Sequence, residues 1–278
     1  MKFRKTVGGV SLVVLLSLLS SVASAQGGGV VGSPHDLQVA TGNTSETCVF
    51  CHTPHGSDTN AAVPLWNKEL PDPTSYTRYS TLGTSTLDGE EAPVGSVSLA
   101  CLSCHDGSQA VDTVLNVPGS GLAGDGTNVP SPSRIDAASF GLNIGASPVP
   151  NLTADLRDDH PVSIQYAGGG LLGTDANDQL GDTTTFGDQD FRAPYKASVN
   201  GNSAWWLDTS AGTANSREKT DILLYTRTDG PAGVTGEPMV ECGSCHDPHN
   251  GGTAGIGSVA FLRIANDSSE ICTTCHIK

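Results

Sequence analysis

Apolar residues are unevenly spread along this chain of 278 residues. One continuous run, Val10 to Val22, follows the basic start MKFRK and ends at Ala23-Ser24-Ala25. A charged start, a short apolar stretch and a small-residue cleavage site predict an export signal over residues 1–25, with the mature chain starting at Gln26. The run is shorter than the roughly 20 residues a membrane-crossing helix needs, and no later stretch approaches it, which predicts an exported chain with no membrane span. No cysteine stands at the cleavage point, so no lipid anchor is expected. Beyond the signal the apolar segments are brief. Val94 to Leu102 predicts a helix, Asp221-Ile-Leu-Leu-Tyr225 fits a helical turn or a strand, and runs such as Pro118-Gly-Ser-Gly121 and Gly168 to Gly170 break up the rest. The pattern predicts a mostly irregular chain with short helices and few strands.

Composition sharpens the difficulty. A mature chain of this length can bury a large core, yet aromatic residues make up 5% of the sequence and glycine and proline together number 50. Such a balance leaves loops or disorder unless something else supplies the centre.

The cysteines indicate what that is. All eight fall into four copies of one pattern: Cys48-Val-Phe-Cys51-His52, Cys101-Leu-Ser-Cys104-His105, Cys242-Gly-Ser-Cys245-His246 and Cys272-Thr-Thr-Cys275-His276. C-x-x-C-H is the attachment signature of c-type haem, both thiols being joined to the porphyrin and the adjacent imidazole binding its iron. On a helical turn, positions i, i+3 and i+4 share a face, so both sulfurs and the ring meet one porphyrin edge. Four disulfides would suit an exported chain, but random pairing does not put histidine after every second cysteine. Zinc ribbons also use cysteine and histidine, yet the Cys-His adjacency in every copy points away from them. Four haem c groups, with His52, His105, His246 and His276 as proximal ligands, are expected, and a core built around those four haems would replace the missing aromatic one. On this reading the chain without haem does not fold.

Four histidines remain: His35, His55, His160 and His249. They match the number of sixth ligands required, and methionine, the usual competitor, is reduced in the mature chain to Met239. Full ligation would leave each iron closed to substrate. His55 and His249 repeat one spacing, His-x-Pro-His, after the first and third motifs. A side chain three residues from a proximal ligand cannot reach the opposite face of the same porphyrin, so each of these is expected on a different haem, drawing two porphyrins together. Asp36 and Asp159 stand beside His35 and His160, where either is placed to fix the tautomer or to act as a turn residue.

The motifs divide the mature chain, residues 26–278, into a haem pair at each end of a loop-rich insert from Asp106 to Glu241, within a single domain. Oxygen ligands gather at 173–190, but the EF-hand spacing is absent and a solvated loop is favoured. Trp66, Trp205 and Trp206 are expected to pack on porphyrins or loops. Loss of the signal takes the basic residues from 14 to 11 against 29 acidic ones, and the formal charge from −15 to −18. That field disfavours nucleic acid and anionic membranes and suits a cationic partner or metal-ion acceptor, while serving solubility equally well.

The signal, Ser33-Pro-His-Asp36, CVFCHTPH followed by Pro64-Leu-Trp-Asn67, four C-x-x-C-H motifs and four spare histidines together resemble the extracellular multihaem cytochromes of metal-reducing bacteria, in particular their filament-forming tetrahaem outer-membrane members. The likeness rests on residues 33–67 and the ligand count; the insert adds nothing to it. It implies a helical homopolymer with a continuous haem chain in which one distal histidine crosses from a neighbouring subunit. That role falls on His35, with the haem held by His276 as recipient. The implied function is electron transfer, not catalysis: electrons pass from other redox cytochromes along bis-histidine haems to an extracellular acceptor. A discrete periplasmic electron shuttle of the same haem content is the alternative. A multihaem reductase needs an open iron, often made by C-x-x-C-K, and no such motif is present.

Overall fold

The computed structural model describes residues 29–38, 44–119, 133–134, 150–171, 187–209, 213–214, 216–228, 235–251 and 261–277. The export signal and most of the acidic stretch 173–190 lie outside the described residues. Much of the chain is coil, and each C-x-x-C-H motif sits on a short helical segment: a 3-10 turn Thr47–Phe50, then α1 Ser96–His105, α2 Cys242–Cys245 and α3 Glu270–Cys275. The first and third segments end at or just before the second cysteine for a local reason. Thr53 and Asp247 each precede a proline, whose ring pushes the preceding residue out of the helical region. α1 runs longer because the Val94 to Leu102 stretch has something to bury. Leu99 and Leu102 join Tyr76, Val94 and Leu156 in one apolar cluster.

The insert contains more order than its composition predicts. β1 Thr113–Val114 pairs with β2 Ser133–Arg134. A second, five-stranded antiparallel sheet comprises β3 Ile164–Gln165, β4 Tyr195–Val199, β5 Asn202–Leu207, β6 Ile222–Thr226 and β7 Pro238–Val240, in the order β3-β7-β6-β5-β4. Asn200 and Gly201 form the two-residue turn between β4 and β5, both at positive φ (51° and 81°), the twist that suits a tight hairpin. The segment Asp221 to Tyr225, open between helix and strand on its sequence, forms β6.

The sheet carries a side-chain core of its own. Trp205, Leu207, Ile222 and Leu224 pack with Tyr166 and Leu171, and Trp205 is 1% exposed. Trp206 stacks on Tyr195 with ring centroids 5.6 Å apart. The expectation that these tryptophans pack on porphyrins or loops is therefore corrected: alternation along β5 sends them to opposite faces of the sheet, Trp205 into its core and Trp206 onto Tyr195. This cluster extends to Phe191 and, in α3, to Ile271 and Cys275, so the insert seats the fourth motif. Met239 is wholly buried in β7 beside Ala92, as a core residue.

Buried polar groups fasten α1, α2 and the insert together. Glu241, at the N-cap of α2, accepts from Ser98 Oγ at 2.5 Å and Ser163 Oγ at 3.0 Å and faces Arg227 at 3.7 Å. Both charged side chains are sealed from solvent, at 0% and 2% exposure, and Arg227 also donates to the Pro93 carbonyl at 2.7 Å. Gly243 admits no side chain, since a Cβ there would meet Tyr225 Oη at 2.5 Å and Val97 Cγ2 at 3.1 Å. Removing one partner of a buried ion pair leaves an uncompensated charge. Glu241→Gln is expected to lower stability by about 3–5 kcal/mol, read as a shifted midpoint in urea unfolding of the intact protein; an unchanged midpoint would show that the pair does not hold the motif helices.

Candidate haem-binding sites

Three of the four motifs are closed by the same device. Beside the first, Thr53 N–H donates to Leu65 O and Asn67 N–H to Cys51 O, both at 2.9 Å, forming a bridge between His52 and Trp66. Beside the third, Asp247 N–H donates to Phe261 O (2.8 Å) and Arg263 N–H to Cys245 O (2.9 Å), around His246 and Leu262. Beside the fourth, Ile277 N–H donates to Asp190 O and Arg192 N–H to Cys275 O, both at 2.8 Å, around His276 and Phe191. A second tie comes from a side chain in each strap. Asn67 Nδ2 donates to Val49 O at 2.7 Å, Arg263 Nε to Gly243 O at 3.0 Å and Arg192 Nε to Thr273 O at 2.7 Å. The acceptor is in every case the residue after the first cysteine. A short helix leaves its last carbonyls without partners, and this clamp satisfies one while fixing the turn that presents both sulfurs.

The second motif is held differently. α1 continues through His105, whose carbonyl accepts from Leu152 N–H at 2.7 Å. The ring itself is tied: His105 Nδ1 donates to Pro150 O at 2.7 Å, as His52 Nδ1 does to Pro64 O at 2.8 Å. A proline carbonyl in an irregular segment has no ladder partner to compete for it. With Nδ1 engaged, each ring carries its free lone pair on Nε2, the atom a metal takes in this tautomer.

The spare histidines divide into two groups. His249 faces His52 with ring centroids 6.0 Å apart, and His35 faces His105 at 6.0 Å. A metal bonded to two imidazoles at about 2.0–2.1 Å each sets their centroids roughly 6 Å apart, and both pairs have that separation, with their rings 16° and 64° from parallel. Desolvation first, then the neighbouring His105, lowers the pKa of His35; desolvation followed by His105 and Arg263 does the same for His246. Both shifts favour the neutral ring that ligates metal. His35 also stacks on Phe261 at 4.0 Å. The resemblance gave His35 to a neighbouring chain and to the haem of His276, whereas here it stands beside His105 of its own chain and His276 packs against Phe191 at 4.4 Å. His55 and His160 are exposed, and among the described residues no imidazole lies against either. Asn116 Nδ2 holds the His55 and Gly56 carbonyls. The aspartates proposed to orient His35 and His160 do neither: Asp36 accepts from Gly32 N–H at 2.7 Å, while the rings face Pro248 O (3.5 Å) and Pro161 O (3.0 Å).

No disulfide joins any of the eight cysteines. Desolvation, then the Cys104 charge, pushes Cys51 up to about 12; desolvation, then Cys245, does the same for Cys275, to about 12. Neighbouring cysteines add to these shifts: Cys104 raises Cys51, Cys242 raises Cys101 and Cys245 raises Cys275.

A family model described as a doubled CXXCH motif matches residues 235–278. No curated protein matches the chain. The matched pair, Cys242 to His246 and Cys272 to His276, indicates covalently bound haem c and hence a cytochrome-type electron-transfer protein. The sequence reading missed the clamp residues Asn67, Arg192 and Arg263. Their shared signal, an apolar residue followed by Asn or Arg, is too common to single out without the paired cysteine carbonyl. Asn67 is fully buried and also exchanges hydrogen bonds with Asn116. Asn67→Ala is expected to cost about 3 kcal/mol in denaturant unfolding; a loss under about 0.5 kcal/mol would mean the clamp is not structural.

Proposed function

We propose that this chain is an exported tetrahaem c-type cytochrome that carries electrons along a row of closely spaced bis-histidine haems and polymerises into an extracellular conducting filament. The observation that carries the reading is the meeting of histidines from different motifs: His249, three residues after the third proximal ligand, stands 6.0 Å from His52 of the first, and His35 stands 6.0 Å from His105 of the second. Haems so held have near neighbours and can exchange electrons with other redox cytochromes, the next subunit, or an extracellular acceptor. Haem iron supplies the one-electron chemistry. The chain's own residues hold it: His52 with His249 and His105 with His35 as axial pairs, His246 and His276 as the remaining proximal ligands, and His55 and His160 as the ligands left for them. In the H-x-P-H units the second histidine serves another motif than the first, and the His249 to His52 contact supports this.

The crossing ligand of the filament moves accordingly. His35 has a partner in its own chain, and exposed His55 or His160 takes its place at the subunit boundary. The same His35 contact favours, as a second reading, the discrete shuttle, in which all distal ligands come from one chain. A head-to-tail contact that does not close on itself gives a filament, so microscopy separates the two. Thin uniform filaments containing this chain, in negative-stain images of the haem-containing fraction sheared from producing cells, are the expected result; discrete particles of intact, haem-loaded protein would favour the shuttle.

Ligation makes a separate prediction. His249→Ala and His35→Ala should each turn one haem high-spin and open it to carbon monoxide in the ferrous protein, while haem content stays at the wild-type level. Unchanged low-spin spectra in both variants would contradict the pairing.

A further inference from the structure

Lys68 lies one residue beyond the clamp of the first motif, and it is 0% exposed. Its Nζ donates to Val111 O at 2.8 Å and Thr113 O at 2.7 Å, carbonyls of the segment that follows the second motif. The ammonium therefore joins the surroundings of the first two attachment sites. Its chain neighbour Asn67 clamps the first motif through Val49 O and Cys51 O. Among the described residues no carboxylate comes within 4.0 Å of Nζ. Asp106, beside the second motif, is engaged by Tyr76 Oη at 2.7 Å and Ser108 N–H at 2.8 Å.

An ammonium sealed from water with no carboxylate within 4.0 Å among the described residues is a costly choice, because two carbonyl dipoles replace only part of its hydration. A neutral amide would bridge the same carbonyls, and an apolar side chain of the same length would fill the space, so packing alone does not account for the charge. A buried positive charge stabilises an electron added nearby, and it does so most strongly where water is excluded.

We infer that Lys68 is a potential-tuning residue whose ammonium raises the reduction potentials of the haems on the first and second motifs. The inference rests on the tetrahaem reading above. It makes the amino-terminal pair the better electron acceptors in the row than the same pair would be without the charge.

The test compares wild-type protein with the Lys68→Gln, Lys68→Met and Lys68→Arg variants, each checked for covalent haem before a spectroscopic redox titration. The two haems in question are identified as those missing when Cys48 and Cys51, or Cys101 and Cys104, are replaced by alanine. Lys68→Gln and Lys68→Met should move those two potentials lower by about a tenfold change in the reduction equilibrium, about 59 mV for one electron. Lys68→Arg should leave them near wild type. Haem-loaded neutral variants with unchanged potentials would overturn the inference. So would loss of haem from both neutral variants with retention in Lys68→Arg, which would make the residue a clamp. Wild-type protein without covalent haem would instead defeat the underlying reading, a distinguishable failure.

Discussion

A C-x-x-C-H motif on a helical turn ends with carbonyls that the turn itself cannot satisfy, and the surrounding chain is arranged to meet that need. At three motifs the second cysteine's carbonyl accepts a backbone N–H from a passing strap, and a side-chain N–H from the same strap residue takes the carbonyl after the first cysteine. Both bonds are short-range and rigid. They fix the direction of two sulfurs and one imidazole at a time, which a chain poor in regular structure could not do by helix length alone. The second motif dispenses with the strap because α1 is long enough to bury Leu99 and Leu102, and its histidine is oriented through Pro150 instead.

From that constraint the larger arrangement follows. The straps of the first and third motifs, residues 64–67 and 261–263, follow closely in the chain, whereas that of the fourth, 190–192, comes from the insert. Each strap draws its parent segment against a motif, so the insert must fold over the fourth site, and its sheet core is continuous with α3 through Phe191 and Ile271. The sealed Glu241 and Arg227 pair ties the same sheet to α1 and α2.

Much of the site was legible in the sequence because its signals are local. Cys-x-x-Cys-His needs no tertiary context, and all four copies stand on helical turns as their spacing requires. The sheet was harder. Gly and Pro abundance obscured it, although Asn200-Gly201 between Tyr195 to Val199 and Asn202 to Leu207 is a tight-hairpin signal, and Trp205-Trp206 is poor loop material. The histidine pairing was not legible, since His249 meets His52 across almost two hundred residues of chain, and nothing near His35 names His105. On the sequence Asp36 and Asp159 are open between orienting a ring and shaping a turn; Asp36 takes the turn role on Gly32, and carbonyls of proline face the two rings.

The central claim is that His249 and His52 share one iron and His35 and His105 another, within a chain that carries four haems. A density map of the haem-loaded protein, fine enough to place each iron, tests it most directly. The account predicts irons bonded to His52, His105, His246 and His276, with His249 opposite His52 and His35 opposite His105. A map in which His35 and His249 touch no iron would contradict it.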